Sequence, residues 1–252
     1  MEDKKAYNPE EIIIGRNAVN EALRSGRAID RLLVAKGART GTLVSILAIA
    51  RERGIPVKEA DARKLDALCG GAAHQGVLAQ AAAHGYAELD DLFARAAERG
   101  EDPFFVIADE IEDPHNLGAI IRTAECAGAH GLILPRRRAV GLSYAVGKAA
   151  AGALEYLPVA RVGNLASTID ELKKRGVWIY GADMDGSPWC RASLTGPIAL
   201  VVGSEGRGVG RLIREKCDGI LSLPMKGSIS SLNASVAAGV LLYEIARQRA
   251  GL

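Results

Sequence analysis

The sequence predicts an α/β protein whose larger part is a mostly parallel sheet with helices on both faces, preceded by a smaller α/β domain. Three observations predict it. Short apolar runs bounded by Gly, Pro and polar residues alternate with longer stretches of helical period along nearly the whole chain. From residue 103 onward the strand-like runs, such as Phe104-Phe-Val-Ile-Ala108 and Pro197-Ile-Ala-Leu-Val-Val202, are apolar without alternation, as strands covered on both faces are. Between these two series, residues 83–102 turn polar and helical and are ended by Pro103.

The first series has strand patterns at 29–35, 55–57 and 76–81 and a helical one at 42–53. It reads as a small domain over 1–82, with 83–102 as linker and 103–252 as the second domain. In that second domain, helical patterns at 117–127, 145–154, 165–175, 209–216 and 233–249 fall among strand patterns at 104–108, 131–134, 156–162, 177–180, 197–202 and 220–223. Ligands of such sheets sit beyond the carboxyl ends of the strands, so the segments that follow them are the places to search.

Composition bounds the partners. With 252 residues, 48% hydrophobic and 25% charged, the chain can bury a substantial core, and its net charge of +2 excludes a polybasic wrapper. Contact with nucleic acid has to come from local clusters, of which Arg136-Arg137-Arg138 and the pair Arg247 and Arg249 are candidates. Cys69, Cys126, Cys190 and Cys217 are scattered, with no Cys-x-x-Cys pair and no histidines at ligand spacing, so reduced thiols and no metal site are expected. The N-terminus lacks an apolar signal core and no run approaches the ~20 apolar residues of a membrane helix, so a cytoplasmic protein is expected.

Three segments at strand ends carry the chemistry. In the first, Asn116 stands at a helix start, and Arg122 follows among Ala119, Ile120, Ile121 and Ala124, where an arginine needs either a buried carboxylate or an anionic ligand. The second places Gly203, Glu205, Gly206 and Gly208 directly after a strand, where glycines let backbone approach a ligand closely. Its spacing is not the dinucleotide fingerprint, which argues against a nucleotide-dependent oxidoreductase. The third runs from Leu223 through Met225, Gly227, Ser230, Ser231, Leu232 and Asn233 into a helix apolar around much of its circumference. One N-cap is needed there, and the surplus of polar residues points to a binding loop. In the first domain, Gly15-Arg16-Asn17 precedes a helical run and His74-Gln75-Gly76 precedes a strand; capping by Asn17 and a turn at Gly76 explain both, and so does a role in binding.

The ordered set of Asn116, Gly118, Arg122 and Ala124, then Gly203-Ser-Glu205-Gly206 and Gly208, then Leu223-Pro-Met225, Gly227, Ser231-Leu-Asn233, Ser235 and Ala237 resembles the three motifs of the SpoU-type RNA ribose 2'-O-methyltransferases. The resemblance covers residues 103–249. The first domain resembles the ribosomal-protein-like RNA-binding domain of the 23S ribosomal RNA guanosine 2'-O-methyltransferases, through Gly15-Arg-Asn-Ala-Val and His74-Gln-Gly. It implies a trefoil knot in the carboxyl-terminal part, a homodimer, and S-adenosylmethionine as cofactor. By motif position it places cofactor contacts on Gly203, Leu223 and Leu232 and the catalytic set on Asn116, Arg122, Glu205, Ser231 and Asn233. Asn116 is expected to orient Arg122, and Glu205 to anchor the assembly. Arg16, Asn17, His74 and Gln75 are the candidates for RNA contact. The implied substrate is a guanosine in large-subunit ribosomal RNA; the rivals are a transfer-RNA ribose methyltransferase and a catalytically silent RNA-binding protein of the same fold.

Overall fold

The structure is a computed structural model that describes residues 12–27, 29–37, 41–53, 55, 57–81, 85–136, 138–204 and 206–252. The chain forms two compact units, one reaching to Gly85 and taking in Leu142–Tyr156, the other made of Tyr86–Gly141 and Leu157–Leu252.

The sheet of the first unit has the order β1-β4-β2-β3, from β1 (Ile12–Ile14), β2 (Ile29–Ala35), β3 (Val57–Ala60) and β4 (Val77–Ala81). Strand β4 is antiparallel to β1 and β2, while β3 runs parallel to β2. The period-two alternation of a strand sends Leu32 and Val34 to one face, under α1 (Arg16–Arg24) and α2 (Thr42–Glu52), with Val19, Leu23, Leu43 and Ile46. Leu33 goes to the other face, under α3 (Ala62–Cys69), with Leu65 and Cys69. Of the strand expected at 55–57, Val57 opens β3, Ile55 lies ahead of it and Pro56 falls outside the described residues, and α3 itself is too short to show as a period.

In the second unit, α4 (Leu89–Arg99) lies within the region expected as a linker, and it is packed, not free. Its start is closed by a capping box between Glu88 and Asp91. Leu92 lies so close to β6 (Gly131–Pro135) that a Cβ on Gly131 would stand 2.2 Å from its Cγ. The remaining elements are β5 (Phe104–Ala108), α5 (Pro114–Cys126), β7 (Val159–Val162), α7 (Leu165–Lys174), β8 (Trp178–Pro188), β9 (Ile198–Val202), α8 (Arg211–Lys216), β10 (Gly219–Ser222) and α9 (Ala234–Arg249). Six strands in the order β10-β8-β9-β5-β6-β7 pair in parallel throughout, as the unbroken apolar runs predict. One face buries Phe105, Ile107, Ile133 and Val201 with Leu92, Leu165 and Ile169. Helices α5 and α9 pack on each other, with Leu117, Ile120, Leu241 and Ile245 fully buried.

Between β6 and β7 the chain leaves this unit. The excursion Leu142–Tyr156, which carries α6 (Tyr144–Ala150), is clustered with the first unit, a placement that residues 103–252 taken as one block do not anticipate. Within that unit Glu155 and Arg27 form an ion pair at 2.8 Å with side chains only 6% and 10% exposed, and the Tyr156 hydroxyl donates to Glu21 Oε2 at 2.7 Å. No helix among the described residues is long and apolar enough to cross a membrane.

Candidate active site

From β5 the chain steps outward to β6 and β7, then returns to build β8, β9 and β10 on the opposite side of β5. The point where strand order reverses is where α/β sheets hold ligands. The first two motif segments emerge there, after β5 and β9, and the third follows β10 at the edge of the sheet.

The loop after β9 folds back on itself. Gly208 N–H donates to the Ser204 carbonyl at 2.8 Å, and Gly208 takes φ +65°, a left-handed value that glycine adopts without cost. Gly203 is pressed against this closure: a Cβ there would meet the Gly208 carbonyl oxygen at 2.0 Å. The glycines thus serve contact within the loop as well as access to it. Asp109, buried at the end of β5, accepts from Gly210 N–H at 2.8 Å and so fastens this loop to the neighbouring strand. Burial pushes its carboxyl group up, the Gly210 bond holds it down, and Glu110 adds to the rise. Nothing in the sequence distinguishes Asp109 from its acidic neighbours; its partner is 101 residues away.

A cavity of about 320 Å³ opens between the segments after β9 and β10, with Ala182, Asp183 and Met184 of β8 in its wall. Gly203, Leu223, Ser231 and Leu232 all line it, so the structure brings together the three expected cofactor residues and one of the catalytic set. Asn116 is buried on the first turn of α5, whose N-cap is Asp113, and it accepts a hydrogen bond from Asn233 Nδ2 at 2.9 Å. Asn233 caps α9: its Oδ1 accepts from the backbone of Ser235 at 3.0 Å and of Val236 at 3.3 Å. The last motif is thereby tied to the first.

Arg122 is exposed on α5 and hydrogen-bonds neither Asn116 nor any other described residue. Six residues of helix rotate a side chain by about 240° and carry it ~9 Å along the axis, so Asn116 does not orient it as expected. Among the described residues it has no buried carboxylate partner either. Glu205 lies outside the described residues. Of the basic cluster, Arg138 is paired with Glu110 at 3.0 Å, Arg136 is exposed, and Arg137 lies outside the described residues. Cys217 stays protonated: burial, with Asp218 second, pushes its thiol up to about 11, so it is no nucleophile at neutral pH. Among the described residues no cluster of His, Cys, Asp and Glu is arranged to hold a metal.

In the first unit, Arg16 and Gln75 meet. Arg16 N–H donates to Gln75 Oε1 at 3.0 Å and its Nε donates to the Gln75 carbonyl at 2.9 Å. Gly15, not Asn17, is the N-cap of α1, and Gln75 supplies the oxygen that a cap would; Asn17 is left exposed. His74 Nδ1 accepts from Gly76 N–H at 2.9 Å, which puts the ring proton on Nε2, 3.2 Å from Asp66 Oδ1. The two motif phrases therefore brace one another.

Residues 103–243 match the sequence profile of the SpoU rRNA methylase family, more than half of the chain. The chain belongs to the SpoU methylase family. Residues 12–87 of this SpoU methylase also match the profile described as RNA 2'-O ribose methyltransferase substrate binding. YacO of Bacillus subtilis, assigned to the TrmH family of tRNA/rRNA methyltransferases, is 52% identical over 239 residues, covering 94% of this chain and 95% of YacO. The SpoU methyltransferase AviRb of Streptomyces viridochromogenes, solved in complex with its cofactor AdoMet, superposes with a TM-score of 0.80 at 28% identity, covering 96% of this chain and 91% of AviRb. A TrmH/SpoU tRNA-modifying enzyme of A. aeolicus matches 64% of this chain and 85% of its own, with a TM-score of 0.54 and 29% identity. This SpoU protein is an RNA methyltransferase by family.

Proposed function

We propose that the protein transfers a methyl group from S-adenosylmethionine to a ribose 2'-hydroxyl of RNA, on a guanosine of 23S ribosomal RNA. The observation that carries the reading is the cavity beside the middle of β8 and the ends of β9 and β10, where Gly203, Leu223 and Leu232 come together beside Ser231. Its size, about 320 Å³, falls within the ~300–1,000 Å³ range of small-molecule sites. Gly203, Leu223 and Leu232 would hold the adenine and methionine parts through backbone groups, and the cofactor supplies an already activated sulfonium methyl.

What the protein has to add is alignment and charge stabilisation, because a ribose hydroxyl is a poor nucleophile. Ser231, exposed at the cavity, faces the ribose; Arg122, exposed and unpaired among the described residues, takes the RNA phosphate and steadies charge on the hydroxyl oxygen. Asn116 and Asn233 act as positioning residues through their mutual bond, and Glu205 anchors the glycine loop. Replacing Arg122 by Ala is expected to lower turnover at least 10-fold, with cofactor affinity unchanged; near-normal turnover would remove this role.

The first unit would choose the target. Arg16, Asn17, His74 and Gln75 form its contact surface, with exposed Asn17 free to reach RNA. The A. aeolicus tRNA enzyme matches 64% of this chain, so part of the chain has no counterpart there, which supports ribosomal over transfer RNA. The family reading carries with it a carboxyl-terminal knot, a cytoplasmic place of work and a homodimer. For the last, α9 leaves Val236, Val240 and Tyr243 exposed at 52%, 39% and 54%, spaced to share one face. Transfer of labelled methyl from S-adenosylmethionine to ribosomal RNA, followed by mapping of 2'-O-methyl groups with and without the gene, tests the whole. A methyl lost only from transfer RNA would refute the ribosomal substrate; no transfer at all would leave the silent RNA-binding protein.

A further inference from the structure

The cavity wall holds a charged group to which that reading gives no part. Asp183 follows Ala182, the last residue of β8 paired with β9, and its side chain is 14% exposed. Among the described residues lining the cavity it is the sole carboxylate. Arg214 of α8 approaches Oδ2 at 2.7 Å, and the backbone N–H of Met184 donates to Oδ1 at 2.7 Å. Each carboxylate oxygen has two lone pairs, so one on each oxygen is left over after these contacts. Opposite stands Gly208, where a Cβ would come within 3.3 Å of Oδ2; the bare glycine keeps that side of the carboxylate open.

The Arg214 pair settles what the spare lone pairs suit. It neutralises the carboxylate, so the group gains little from a cationic ligand, yet its two adjacent oxygens remain good acceptors for neutral hydroxyls. Two neighbouring oxygens match two neighbouring hydroxyls. We propose that Asp183, held in place by Arg214, accepts hydrogen bonds from the vicinal hydroxyls of the cofactor's ribose and makes the cavity selective for a ribonucleoside. The inference rests on the reading that this cavity takes S-adenosylmethionine.

The test is calorimetric titration of the full-length protein with S-adenosylhomocysteine and with its 2'-deoxyadenosyl analogue. The unsubstituted protein is expected to prefer the ribose form about 10-fold or more, the worth of a hydrogen bond to a charged group. Asp183→Asn is expected to bind both forms alike, near the affinity the unsubstituted protein has for the deoxy form; Asp183→Ser gives the same reading should the first variant not fold. Equal affinity of the unsubstituted protein for the two forms overturns the proposal. So does a variant that weakens both and keeps the preference, because Asp183 would then only shape the wall. Failure of the unsubstituted protein to bind S-adenosylhomocysteine at all removes the cofactor reading and this inference with it, whereas binding without preference removes this inference alone.

Discussion

Gly203 and Gly206 look alike in the sequence and differ in the fold. A Cβ on Gly203 collides with backbone of its own loop, which cannot swing aside as a side chain would, whereas around Gly206 nothing lies within 4 Å of such an atom. Gly203→Ala is therefore expected to destabilise the protein by about 1–3 kcal/mol and to weaken cofactor binding, while Gly206→Ala does neither. Urea unfolding with calorimetry of both variants checks the contrast; equal behaviour would mean that the loop relaxes. A run of glycines after a strand was legible as a close-approach loop. Which glycine is obligatory was not, because the colliding atom lies five residues away in a turn whose course periodicity cannot give. Asn233 is the opposite case: its capping of α9 could be read from residue type alone, but its bond to Asn116, 117 residues distant, could not.

Elements were read best where the sequence pattern was long. Strands β5 and β9 and helix α9 fall within a residue or two of expectation, since unbroken apolar runs and a long helix leave little freedom. Helix α3, of eight residues, and the extension of β8 to Pro188 were missed, for both depend on partners. The latter half of β8 is a strand because β10 shifts register to pair Leu221 with Ser187. The excursion holding α6 is the clearest instance of tertiary choice. Its Glu155 is paired with Arg27 out of solvent, and removing one partner leaves the other charge buried. Glu155→Ala is expected to cost about 3–5 kcal/mol in denaturant unfolding, with the double variant Glu155→Ala, Arg27→Ala recovering part of the loss. A cost for Glu155→Ala under ~1 kcal/mol would show that the pair is not buried in solution.

At the scale of the whole molecule, the end of the sheet away from the site carries a pH response. His130 is fully buried; its Nδ1 accepts from Phe104 N–H at 3.0 Å and its Nε2 faces Glu101 at 3.2 Å. Burial lowers its pKa, Glu101 opposes this, and Arg99 and Arg249 add to the lowering. The folded protein therefore prefers neutral His130, while the unfolded chain takes up the proton near pH ~6.5. Stability from this group is complete above that pH and is lost as pH falls below it toward the folded value. The urea midpoint is expected to drop between pH 7.5 and 5.5, and to drop less in His130→Asn, which does not titrate; identical slopes would assign the acid sensitivity to other groups.

The sequence by itself determined the kind of molecule: a two-part α/β chain, a parallel sheet, and three motifs at strand ends, because local periodicity and residue type are written in consecutive positions. Tertiary structure alone decided which of those motif residues meet. It joined Asn233 to Asn116, braced Arg16 with Gln75, left Arg122 exposed, carried Leu142–Tyr156 to the first unit, and put Asp109 and Asp183 at the site unannounced. Each of these rests on a contact between residues far apart in the chain, whose geometry is fixed only when the sheet order is.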